Sequence, residues 1–102
     1  MSIKIEFHGN IALIALSGAL DYSTRDEIQE ANNQALSADH VKEIEVDFAD
    51  VTFLDSSIIR ALIMLKMKAT TAGRSLVLLN CGDPVMEIFN IGGFDMIFTI
   101  RN

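Results

Sequence analysis

The 102-residue chain has no tryptophan, one cysteine, one proline and two histidines. A lone Cys81 excludes an internal disulfide, and with His8 and His40 it supplies no cluster that could hold zinc. The two histidines fall in a hairpin and a loop, away from any serine or cysteine motif, and read as surface residues rather than a general base. Basic residues are scarce: eight Lys and Arg against fourteen Asp and Glu leave a formal charge of −6. They form no basic block, so nucleic acid and anionic membrane surfaces are poor partners. No apolar run approaches the ~20 residues of a membrane span. The start, MSIKIEFHGN, alternates apolar and polar residues and lacks the apolar core of a signal peptide. A cytoplasmic protein without membrane insertion is the simplest expectation. No repeat, linker or low-complexity segment interrupts the chain.

What is present is a core. Hydrophobic residues make up 50% of the chain, well beyond a disordered composition. A chain of this length buries roughly 60 to 70% of its unfolded surface, so residues 1–102 are expected to form one domain. Ile3, Ile5 and Phe7 alternate with Lys4, Glu6 and His8, the period of a half-wet strand. Gly9-Asn10 predicts a turn, and Ile11 to Gly18 a second strand in a hairpin. Ser23 or Thr24 is a candidate cap for a helix through Leu36, with Ile28, Ala31, Ala35 and Leu36 toward the core. Glu43 to Phe48 alternates again. A second helix is expected over Ser56 to Thr71, stopped by Gly73. Ser75 to Asn80 predicts a strand, Asp83-Pro84 a cap and first turn for a short helix ending near Gly92-Gly93, and Met96 to Ile100 a last strand. The order β-β-α-β-α-β-α-β predicts an α/β domain with a mixed sheet, an N-terminal antiparallel hairpin and packed helices.

The stretch FLDSSIIRALIML, Phe53 to Leu65, admits two compatible readings. In one, Asp55, Ser56 and Ser57 only cap a core helix, satisfying its orphan donors. In the other they display a hydroxyl beside a docking surface. Ile58, Leu62, Leu65 and Ala69 share one face at about 100° per residue. Ile63, Met64 and Met67 then lie around the cylinder, near Arg60. That second apolar set is either buried by another element or exposed as a patch to which a partner docks. A phosphoserine at this position would meet the free N–H groups and positive dipole end of a helix, while Asp55 would repel it.

Together with ALDYST (Ala19 to Thr24), VDFADVTFLDSS (Val46 to Ser57), the Gly73 turn, Asp83-Pro84-Val85 and the GGF of Gly92 to Phe94, this stretch resembles the STAS domains of anti-sigma factor antagonists. The resemblance spans nearly the whole chain. It implies a non-catalytic protein without cofactor or metal, acting in a bacterial partner-switching pathway. Its partners would be a GHKL-type serine kinase that is also an anti-sigma factor, and a PP2C-type phosphatase. It implies phosphorylation on Ser56, with Ser57 second, and a role for Asp21 in kinase engagement. With Tyr22 beside it, the expected partner-binding set is Asp21, Tyr22, Asp55, Ser56, Ser57, Arg60, Ile63, Met64 and Met67. The output would be a sigma factor or another process such as biofilm or secretion control. The alternative is a constitutive STAS module, for example an accessory subunit of a lipid-transport ATPase, in which Ser56 is only a cap and a polar contact. One departure stands out: the family's usual glycine after the hydroxyl pair is Ile58, which is expected to put bulk beside the target serine.

Other constellations carry less. Asp47, Asp50 and Asp55 suggest a metal cluster or a phospho-aspartate receiver, but the early acidic pair and the late strand-end lysine of a receiver are missing. Gly92-Gly93 lacks the context of a nucleotide loop and reads as a helix stop. Cys81 follows a buried strand and reads as a packed thiol.

Overall fold

A computed structural model describes residues 2–102. Five strands form one sheet in the order β1-β2-β3-β4-β5: Ser2–His8, Ile11–Leu20, Glu43–Leu54, Ser75–Leu79 and Thr99–Arg101. β1 and β2 are antiparallel, paired from Ser2↔Ser17 to His8↔Ile11. The other neighbours are parallel, joined by α1 (Arg25–Ser37), α2 (Ser56–Thr71) and α3 (Asp83–Gly92). The mixed sheet with its N-terminal hairpin follows from the chain order, because a helical crossover returns the next strand parallel.

Alternation along the strands sends Ile14, Leu16, Ile44, Val46, Phe48 and Leu78 into one continuous core. Ile28 of α1, Leu62 and Leu65 of α2, and Val85 and Phe89 of α3 close over it. Phe48 meets Phe89 edge-on at 6.2 Å between ring centroids, a favoured aromatic geometry. Glu43, Glu45 and Asp47 alternate with this set and are only partly covered, the expected wet side of β3.

Several boundaries differ from expectation, each for a local reason. β3 does not stop at Phe48 but runs on to Leu54. Between the pairs Ala15↔Asp47 and Ser17↔Asp50, and again between Gly18↔Val51 and Ala19↔Phe53, β3 advances one residue more than β2. These two bulges break the period-2 pattern that would have marked the strand. A 3-10 turn, Tyr22–Thr24, capped by Asp21, precedes α1; Thr24 holds the cap position of α1, as expected, but makes no side-chain cap hydrogen bond there. Gly82, not Asp83, is the cap of α3, so Asp83 and Pro84 occupy its first turn. β4 ends at Leu79 because Asn80 is left-handed, at φ 55°. The last strand begins only at Thr99: Gly93, at φ 74°, ends α3 and leads into a 3-10 turn over Phe94–Met96. α2 keeps its expected limits, with left-handed Gly73 just beyond its end.

Candidate functional site

Two parallel strands end side by side, Leu20 of β2 paired with Leu54 of β3, and an aspartate follows each. Asp21 and Asp55 then solve the same problem in the same way. Asp21 Oδ1 accepts from the backbone N–H of Ser23 at 3.0 Å and from the Ser23 hydroxyl. Asp55 Oδ1 accepts from the N–H of Ser57 at 3.0 Å, the N–H of Ile58 at 3.2 Å and the Ser57 hydroxyl. The two caps are stitched together, since Tyr22 N–H donates to Asp55 Oδ2 at 3.0 Å and Asp55 N–H to the Leu20 carbonyl at 3.1 Å. The Ser57 hydroxyl, followed by the N–H groups of Ile58, Tyr22 and Ser57, holds the Asp55 carboxyl below its ordinary range against the opposing effect of burial. Asp55 is thus a fixed anion.

The hydroxyl pair is divided by this cap. Ser57 is half-buried and its hydroxyl is committed to Asp55, whereas Ser56 is exposed at the first position of α2. The helix start does not offer a phosphate the free N–H groups expected of it, because Asp55 already takes those of Ser57 and Ile58. A phosphoryl group on Ser56 would retain the dipole but project outward. Ile58 also departs from expectation. Its side chain is fully buried in the core, so it adds no bulk to the surface beside Ser56.

From Ser56, an exposed stripe climbs α2 in steps of four: Ser56, Arg60, Met64, Lys68. Met67 adjoins it and is 59% exposed, while Met64 is 44% exposed. Ile63 sits differently: it is half-buried against the core and shares a separate shallow groove with Lys66, Met67 and Ile97. The structure therefore gathers Asp21, Tyr22, Asp55, Ser56 and Ser57 at one end, runs Arg60, Met64 and Met67 along the helix, and sets half-buried Ile63 one turn before Met67. Tyr22 is 71% exposed, with the Arg25 guanidinium 6.0 Å from its ring centroid. Phe53, also exposed, lies on β3 directly before the site and was not anticipated. Its only signal was an apolar residue out of phase with the strand, which the bulges hid.

The remaining candidates lie elsewhere. Asp47 Oδ1 accepts from the Ala49 N–H at 2.9 Å and from Asn80 at 3.2 Å. Among the described residues no group of three His, Cys, Asp or Glu is arranged to hold a metal ion. His8 and His40 are exposed. Cys81 is buried, and burial followed by the Asp47 charge pushes its thiol up to about 11. Among the described residues no helix is long and apolar enough to cross a membrane.

The STAS domain family matches residues 2–102. The chain belongs to the STAS family. This STAS domain is 22% identical over 100 residues to an anti-sigma F factor antagonist of Paenibacillus polymyxa, covering 98% of this chain and 86% of the relative. It is 27% identical over 92 residues to a STAS-domain-containing protein of Pseudomonas aeruginosa, covering 90% and 89%. Its fold matches the unphosphorylated form of the anti-sigma factor antagonist SpoIIAA with a TM-score of 0.77 at 20% identity, over 99% of this chain and 88% of that one. A sulfate transporter family protein of Wolinella succinogenes shares the fold at a TM-score of 0.75 and 16% identity, over 86% and 70% of the two chains.

Proposed function

We propose that this STAS domain is a non-catalytic phospho-switch. Unphosphorylated, it binds a GHKL-type serine kinase that doubles as an anti-sigma factor; phosphorylated on Ser56 it releases that partner, and a PP2C-type phosphatase resets it. One observation carries the reading: Asp55 engages the Ser57 hydroxyl and leaves Ser56 exposed at the head of a partly apolar stripe. Asp21 and Tyr22 frame the serine, and Arg60, Met64, Met67 and the flanking Ile63 extend the contact surface. A phosphate there adds about −1.5 to −2 charges next to the fixed anion of Asp55, which disfavours a partner already seated against that anion.

Incubation with the cognate kinase and ATP, followed by peptide mass spectrometry, tests this. One phosphate on Ser56 is expected, and none on Ser56→Ala. Modification of Ser57 alone would overturn the choice of acceptor.

The fold shared with a sulfate transporter family protein favours a second reading, a constitutive interaction module within a transporter. Under that reading the protein purified from its host carries no phosphate at any growth stage.

A further inference from the structure

A cleft of about 120 Å³ lies between α1 and α2, several times the space one water needs. Its polar lining comes from Gln29, Asn32 and Asn33 on α1 and Lys68 on α2, and its walls include Leu36 and Leu65. Asn32 is the one polar residue among the described residues that the fold buries, at 6% exposure. No sealed side-chain polar atom lacks a partner, and the described side-chain hydrogen bonds leave Asn32 out, so its carboxamide opens onto the cleft. Open to the cleft, that carboxamide can pair with water or with a ligand seated there. Lys68 lies outside the three ion pairs of the described residues.

We propose that this cleft is a carboxylate-binding socket. A single ammonium matches one negative charge, and the carboxamide NH2 groups donate to the two oxygens of a planar carboxylate. The aliphatic walls suit a short hydrocarbon stem. A phosphate dianion would bring a second charge that no other cation lining the cleft balances. The carboxylate belongs either to a small free organic acid or to a glutamate or aspartate side chain of a docked protein. Met64 and Lys68 line the cleft and also belong to the stripe from Ser56, so its mouth opens on that stripe. The socket itself does not depend on phosphorylation of Ser56.

The test is a titration of the 15N-labelled protein with sodium propionate, read on the side-chain NH2 signals of Gln29, Asn32 and Asn33, with sodium chloride at equal ionic strength as control. Saturable shifts with propionate, weakened about tenfold or more in Lys68→Gln, are expected for a charge-assisted contact. Lys68 is exposed, so this variant keeps the fold even where a change at buried Asn32 does not. A parallel titration uses the blocked peptide acetyl-Ala-Glu-Ala-amide and its methyl ester. Saturation by the peptide but not by propionate identifies a protein side chain as the source; saturation by propionate identifies a free acid. Equal response to propionate and chloride, or no response to propionate or peptide, would overturn the socket and leave a water-filled cleft.

Discussion

Asp55 joins two helix starts with one carboxylate, and its ionisation ties their geometry to pH. Its pKa is depressed in the folded state, so its stabilisation is present above the unfolded value and disappears as pH falls through the lower folded one. Asp55→Ala should cost about 1–2 kcal/mol, the range for a lost cap. Its deficit against the parent in thermal melts should shrink on acidification below about pH 4. Ser56→Ala should melt like the parent, because Ser56 lies outside the cap. Glu45 runs in the opposite sense. Burial first, then the hydrogen bond and charge of Glu43, raise its pKa against the lowering pull of Arg101. Ionising Glu45 therefore costs the folded state stability as pH rises from the unfolded value to the folded one. Glu45→Gln should raise the melting temperature at pH 7, and that gain should vanish below about pH 4. An equal gain at both pH values would mean packing, not charge, is responsible. Cys81, with its thiol pushed up to about 11, should resist alkylation at pH 8 until the protein unfolds.

At the scale of elements, α2 was legible from the sequence and the end of β3 was not. The helix announces itself through Asp55 at one end, Gly73 at the other and a 3.6-residue apolar period between them. That period also separated the buried Ile58, Leu62, Leu65 and Ala69 from the exposed Met64 and Met67. It set Ile63 with that exposed pair, whereas Ile63 is half-buried against the core, a coverage that depends on distant parts of the chain. Likewise the two bulges of β3 are set by its pairing with β2, which no local pattern encodes. The acidic and hydroxyl residues of the site could be read directly. The bond from Tyr22 to Asp55, between residues 33 apart in sequence, could not. The two faces of α2 can be separated by experiment. Met67→Lys should change stability by no more than about 0.5 kcal/mol, as at most surface positions. Leu62→Ala, fully buried, should cost about 2–5 kcal/mol. If both variants melt alike, the stripe beside Ser56 is core, and α2 offers no docking face.

Across the whole molecule, charge is unevenly placed. The chain carries −6 in total, yet α2 bears Arg60, Lys66 and Lys68 and no acidic residue. Ser56 stands at the junction: Asp55 precedes it, and Arg60 follows one turn along the same stripe. A phosphoserine there is repelled by one neighbour and attracted by the other, so modification should leave the fold intact and change the field in front of the helix. Ser56→Glu supplies part of that change, one charge without the extra oxygens. Calorimetry with the cognate kinase should therefore rank affinity as parent, then Ser56→Glu, then the phosphorylated protein. The melting temperatures of parent and Ser56→Glu should agree. Because the discrimination is partly Coulombic at an exposed site, the gap between parent and Ser56→Glu should narrow as salt rises from about 0.1 M to 1 M, over which the Debye length falls from ≈10 to ≈3 Å. A gap unchanged by salt would assign the effect to shape at Ser56. Tighter binding by Ser56→Glu would reverse the direction of the switch, making the phosphorylated form the one that holds its partner.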